Sequence, residues 1–209
     1  MKGLIGRKIG MTQIYDDNGV RIPVTVIEAG PCPVVQVKTM ERDGYVAAQI
    51  GFIEQKEHRM TKPVAEHFKK AGVPLCRELK EFEMDEGEQL SVGDTVTVDI
   101  FKDVKYVSVR GVTKGKGFQG VMKKWGMRGG PAGHGSHTKR RPGSVGARDL
   151  PGWIEKGKHM PGHAGAVNRK ALNLAVVQVR PDDNVILVKG SVPGPKFGIV
   201  YVTKGWRKA

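Results

Sequence analysis

Residues 105–120 read KYVSVRGVTKGKGFQG, and the character of the chain changes within this stretch. Up to Val112, valines alternate with Ser108 and Arg110, which is the period-2 pattern of a half-buried strand. Beyond Val112, glycine and lysine dominate and the apolar alternation stops. The stretch therefore predicts the point at which a β domain gives way to an irregular segment.

The segment 111–170 carries most of the positive charge of the 209-residue chain. It holds 13 Lys and Arg against Asp149 and Glu155, a net charge of +11 out of the chain total of +14. A cationic segment this poor in apolar side chains cannot bury a core that recovers the entropy lost on ordering. Nucleic acid is the natural partner, because neutralised phosphates release counterions. A solvated linker is the plain alternative, although linkers are usually Ser-rich and charge-balanced.

The predicted nucleic-acid contacts are the cations of this segment and two of its aromatic side chains. Lys and Arg bind phosphates, and the rings of the two tryptophans and of Phe118 are suited to stacking on unpaired bases. Burial of the aromatic rings against the β domain is the competing interpretation. The predicted contact residues are Lys114, Lys116, Lys123, Lys124, Trp125, Arg128, Lys139, Arg140, Arg141, Arg148, Trp153, Lys156, Lys158, Arg169 and Lys170.

Short apolar runs bounded by turn residues recur on both sides of the basic segment and predict about nine strands. A single short helix is expected at Pro63–Ala71, with Gly72 after its end. Closure into a barrel removes the edges that so many short strands would expose. We therefore expect a mostly β fold with a closed β-barrel from residues 1–52, 94–112 and 168–209, a charged insertion with the helix at 53–93, and an extended Gly-rich basic loop at 113–167.

The sequence contains no motif that predicts catalysis, a cofactor, a metal or a small-molecule substrate. It has no nucleophile elbow or HExxH pattern, and Gly115–Gly120 lacks the spacing and the Lys-Ser/Thr ending of a P-loop. The pairs His134/His137 and His159/His163 have no cysteine near them, so we expect no zinc site.

The compartment is predicted from cysteines and apolar runs. Cys32 and Cys76 fit no CxxC spacing, which favours a reducing environment without a structural disulfide. No apolar run approaches the roughly 18 residues of a membrane span, and the first ten residues lack the apolar region of a signal peptide. We expect cytoplasmic residence and no membrane partner.

Several long motifs carry a resemblance to one family. They are GLIGRKIGMTQ at 3–13, IPVTVIE at 22–28, TKGKGFQGV at 113–121 with KKW at 123–125, RPGSVG at 141–146, KGKHMPG at 156–162 and LVKGSVPG at 187–194. Over essentially its whole length the chain resembles the bacterial large-subunit ribosomal protein L3 family.

The resemblance implies a structural constituent of the large ribosomal subunit that binds large-subunit rRNA of the 23S type directly, near its 3′ end and early in assembly. It also implies a barrel of the translation-protein type, neighbouring large-subunit proteins as partners, and an extension at about Thr113–Val167 that reaches toward the peptidyl-transferase centre. Some relatives have a methylated glutamine where this chain has Asp149, so we do not expect that modification. The competing interpretations are a small-ligand β-barrel enzyme with a basic lid loop, a free RNA chaperone and a membrane-surface protein.

Overall fold

The computed structural model describes residues 1–85 and 87–205. The chain divides into two compact units. Unit 1 contains residues 1–113 and the described residues from 168 onward, and unit 2 is Lys114–Val167. Within the described ranges, no helix is both long enough and apolar enough to cross a bilayer.

Strands are the main secondary structure, as the sequence predicts. Numbered in chain order, the strands are β1 (Gly3–Tyr15), β2 (Arg21–Ala29), β3 (Cys32–Lys38), β4 (Ala47–Glu54), β5 (Cys76–Glu83), β6 (Thr95–Val96), β7 (Tyr106–Val112), β8 (Phe118–Gln119), β9 (Gly162–His163), β10 (Asn168–Arg180), β11 (Val185–Lys189) and β12 (Ile199–Lys204). The α-helices are α1 (Met40–Asp43), α2 (Lys62–Ala71) and α3 (Val121–Trp125), and Glu57–Arg59 and Val98–Phe101 form 3₁₀ turns.

Six strands of unit 1 close into an antiparallel barrel in the order β1-β12-β7-β10-β11-β2, and β2 pairs with β1. The first and last strands are direct neighbours, since Gly3 lies opposite Thr203. On β7 the side chains of Val107 and Val109 are fully buried and Arg110 is exposed, as the alternation predicts, whereas Ser108, expected on the exposed side, is buried. The prediction of a mostly β fold with a closed barrel is confirmed.

The expected barrel boundaries need one correction. Strands β3 and β4 start within residues 1–52, which we expected to belong to the barrel, but they lie outside it. They form a separate four-stranded sheet in the order β5-β4-β3-β6. On one face of β4, Ala48, Ile50 and Phe52 join the core shared with the barrel. On the other face, Gly51 approaches Phe68 of α2. Because β4 is covered by the barrel on one face and by α2 on the other, its sheet forms a separate layer between them.

Two further elements differ from the sequence prediction. Strand β5 lies in the charged insertion and is missed because only Cys76 and Phe82 of its residues are buried. Strand β6 is only two residues long, although the apolar alternation continues to Ile100, and a 3₁₀ turn follows it. Val98 and Phe101 are both 0% exposed, because side chains three residues apart lie on the same side of a 3₁₀ turn.

The helix prediction is correct in place but incomplete in number. Helix α2 has Pro63 in its first turn and ends at Gly72, whose φ of 65° is the left-handed conformation that glycine adopts easily. A second helix, the short α1, ends at Gly44 in the same way, with a φ of 78°. The third helix, α3, lies in unit 2, where the sequence predicts only irregular structure.

Candidate nucleic-acid interface

Unit 2 contains thirteen of the fifteen predicted contact residues, and their side chains are presented to solvent. Lys124 is half-buried, and the other twelve are exposed. Arg169 and Lys170 lie at the start of β10 in unit 1 and are also exposed. Each of these side chains is therefore accessible to a partner molecule.

The cations of unit 2 are almost entirely without intramolecular counterions. Among its residues, all of which the structure describes, the one ion pair joins Arg148 Nε to Asp149 Oδ1 at 3.9 Å, and both side chains are at least 87% exposed. In unit 1, by contrast, seven of the 22 described Lys and Arg side chains form ion pairs with described carboxylates, as Arg7 does with Glu28 at 2.7 Å and Lys69 with Glu57 at 2.6 Å. Unit 2 is thus a surface of unneutralised positive charge.

Part of unit 2 is held together by its own backbone, which the sequence does not predict. Strands β8 and β9 pair, with Phe118 opposite His163. Next to them, the Lys116 amide donates to the Ala164 carbonyl at 2.8 Å, and the Ala164 amide donates to the Gly117 carbonyl at 2.9 Å. We call these paired residues, 116–119 and 162–164, the stem.

The Trp125 ring has an internal role besides the base stacking predicted for it. Its face lies on the imidazole of His159, with ring centroids 4.0 Å apart and planes inclined by 4°. Its Nε1 donates to the carbonyl of Met160 at 2.8 Å. Helix α3 therefore attaches to residues 159–160 beside the stem, and one face of the ring is occupied. Nothing in the local sequence signals this contact, because its partners are more than 30 residues apart.

Gly129 brings two groups of predicted cations together. The Gly130 amide donates to the Lys139 carbonyl at 3.1 Å, so Arg128 and Lys139 lie on neighbouring backbone segments. A Cβ at Gly129 would lie 2.5 Å from that carbonyl oxygen, and the φ of 77° also favours glycine. Arg140 and Arg141 follow Lys139 in a turn, which concentrates four cations in one region.

The remaining aromatic side chains of unit 2 are not buried. Trp153 is 68% exposed and Phe118 is 66% exposed, with the Phe118 ring edge-on to His163 at 5.8 Å. The interpretation in which these rings pack into a core does not hold. Beside Trp153, Leu150 is 86% exposed.

Two of the four histidines of unit 2 make contacts with aromatic rings. His159 lies on Trp125 and His163 on Phe118. In residues 1–85 and 87–205 no group of three or more His, Cys, Asp or Glu side chains has a geometry that could hold a metal ion.

The chain was compared with models of protein families. The family model described as ribosomal protein L3 matches residues 78–184, which is about half of the chain, the fraction being 107 of 209 residues. The matched range begins in β5, contains all of unit 2, and ends before β11.

Proposed function

The chain belongs to the ribosomal protein L3 family, and from this premise we propose that it binds large-subunit rRNA directly through unit 2. The family is one of structural proteins of the large ribosomal subunit and not a family of enzymes. The finer proposal is that the protein binds near the 3′ end of the 23S-type rRNA, nucleates assembly there, and extends unit 2 toward the peptidyl-transferase centre. Neighbouring large-subunit proteins are its other partners.

The observation that carries the proposal is the state of the charges in unit 2. Its eleven Lys and Arg side chains have one carboxylate neighbour among them, and nearly all are exposed. Unneutralised cations this close together repel one another, and a polyanion reverses the sign of that interaction. Each phosphate that a cation neutralises also releases condensed counterions, which favours binding without base recognition.

The two units have different roles in this mechanism. Unit 1 has a buried core and several ion pairs, so in this proposal it is the anchor. Unit 2 has a short stem and a surface of cations, so it takes its final shape between RNA helices that would otherwise repel each other. In this proposal the RNA catalyses peptidyl transfer, and the protein contributes positive charge and a folded anchor to the structure of the particle.

The test is the salt dependence of binding to protein-free large-subunit rRNA. Replacing Arg140 and Arg141 by alanine should weaken binding and reduce the slope of log affinity against log salt by about 1.4–1.8, at about 0.7–0.9 per lost phosphate contact. Filter binding over a potassium chloride series measures the slope.

The matched control removes the same charge from unit 1. Lys69 and Lys102 are each bonded to a carboxylate, Glu57 and Asp99, so replacing both by alanine should leave the slope nearly unchanged. A slope that is the same in both double variants would contradict the proposal. Equal affinity for 3′-terminal and 5′-terminal fragments of the rRNA would contradict the proposed location but not RNA binding itself.

A further inference from the structure

A row of three side chains crosses the outer surface of the barrel in unit 1. Arg110 of β7 lies directly opposite Lys170 of β10 on one side and opposite Tyr201 of β12 on the other. Residues directly opposite each other in antiparallel strands project from the same face. Arg110 and Lys170 are exposed, and Tyr201 is half-buried.

Strand β5 of the second sheet provides the opposite wall of a groove along this row. The Phe82 ring packs on the backbone of Gly3, where a Cβ would lie 2.7 Å from the ring carbons. Two residues earlier on the same strand, Lys80 Nζ lies 5.9 Å from the centroid of the Tyr201 ring. The resulting groove has a volume of about 390 Å³ and includes Lys80, Arg110, Lys170 and Tyr201 in its lining.

Five cations line the groove, and three of them, Lys80, Arg110 and Lys170, form no ion pair within the described chain. No carboxylate oxygen of the described residues lies within 4.0 Å of Lys80, Arg110 or Lys170. The two glutamates that also line the groove are already paired, Glu81 with Lys38 at 3.0 Å and Glu83 with Lys2 at 2.7 Å.

Arg110 and Lys170 form a like-charge pair that the fold alone does not explain. Like charges directly opposite in a sheet are destabilising, since the Cβ atoms are only about 4.5–5.5 Å apart. Unit 1 as a whole has 24 Lys and Arg against 19 Asp and Glu, so its net charge of +5 is small for its size and two cations directly opposite each other are not forced by composition. An anion bound between the two side chains would convert this repulsion into attraction.

We propose that the groove formed by Lys80, Arg110, Lys170 and Tyr201 binds the phosphate backbone of rRNA as a second contact surface on unit 1. This inference rests on the proposed function, because it assumes that the chain lies against rRNA. A phosphate offers several oxygens at one point, which suits a guanidinium fork next to an ammonium group. The half-exposed Tyr201 ring provides a surface on which a base or ribose packs. An acidic segment of a protein is the other possible occupant, and the experiment separates the two.

The test compares full-length variants in binding to protein-free large-subunit rRNA over a salt series. In R110Q/K170Q the slope of log affinity against log salt should fall by about 1.4–1.8, and in the charge-conserving variant R110K it should not change. The melting temperature of the RNA-free R110Q/K170Q protein should be equal to or above that of the wild type, since a repulsion is removed. The control K69Q/K102Q removes two paired cations and should keep the wild-type slope.

Each outcome has one meaning. If R140A/R141A lowers the slope and R110Q/K170Q does not, the groove inference fails while the proposed function stands. If neither double variant lowers the slope, the proposed function fails. If the rRNA slope of R110Q/K170Q is unchanged but the variant no longer enters large-subunit particles, the occupant is an acidic protein and the RNA assignment is wrong. If the melting temperature of R110Q/K170Q falls, the variant K80Q tests the groove instead. It removes one exposed cation of the groove and should lower the slope by about 0.7–0.9.

Discussion

Replacing Trp125 by alanine should open the stem of unit 2 in the free protein. The change removes the stack on His159, with its 4.0 Å centroid distance, and the bond from Nε1 to the Met160 carbonyl. An aromatic pair contributes about 0.5–1.5 kcal/mol beyond its area, and a hydrogen bond about the same net amount. The local opening free energy should therefore fall by about 1–3 kcal/mol.

Amide hydrogen exchange measures this loss at defined positions. The amides of Lys116 and Ala164 are bonded across the stem, so their exchange reports its opening. Because about 1.4 kcal/mol is a factor of ten, exchange there should be roughly 5-fold to 150-fold faster in W125A. W125F keeps a ring for stacking and loses the indole donor, so its exchange should lie between that of the wild type and W125A.

The chain offers a matched control for this experiment. Trp153 is 68% exposed, so W153A should leave the stem amides unchanged. Equal exchange in W125A and the wild type would show that the stack does not hold the stem. Unprotected Lys116 and Ala164 amides in the wild type itself would show that unit 2 has no structure before RNA binding.

Two further predictions concern unit 1. Gly3→Ala should lower the free energy of unfolding by about 1–3 kcal/mol, because the new Cβ would lie 2.5 Å from the Val202 carbonyl oxygen. Gly10→Ala is the control and should change the free energy of unfolding little, because a Cβ at Gly10 would meet nothing within 4 Å. Urea denaturation of both variants measures the two values, and equal losses would be inconsistent with the packing described. Burial raises the pKa of the Cys76 thiol from 9.0 to about 11, so the folded state keeps its proton after the unfolded state has lost it, and Cys76 makes stability fall as pH rises from about 9 to 11. Iodoacetamide should accordingly alkylate Cys76 at pH 8.5 at least tenfold more slowly in the native protein than in urea. A Cys76→Ser variant lacks this thiol and identifies which alkylation belongs to Cys76. Equal rates in the native protein and in urea would refute the burial of the thiol.

The sequence predicts individual strands well because their periodicity is local. In β7, the alternation of buried Val107 with exposed Arg110 follows from one side of the strand facing the core. Which sheet a strand joins is not local information. Strand β4 has a strand pattern, but its membership of the second sheet depends on Phe68 of α2 covering one face, and nothing within residues 47–54 indicates that.

In the candidate site, too, features that depend on local sequence are predictable and those that depend on distant contacts are not. Composition alone places an excess of exposed cations in residues 114–167, because charged side chains without apolar neighbours remain in solvent. The contact of Trp125 with His159 is not predictable in this way, since it depends on the chain returning to the stem. The groove is missed for a similar reason. Arg110 and Lys170 become neighbours through strand register, although 60 positions separate them in the chain.

The pairing of β1 with β12 affects how the protein is made. The residues that pair with Gly3 and Leu4 are Thr203 and Val202, so the barrel has no closing strand until these residues, about 200 positions after β1, have been translated. Local elements such as the β4 to β5 pairing complete much sooner after synthesis. During that interval the basic residues of unit 2 have already been synthesised, and the sheet of unit 1 still has an open edge. A nascent chain in this condition is prone to bind any nearby polyanion or exposed strand, so prompt capture by newly transcribed rRNA would protect it from aggregation.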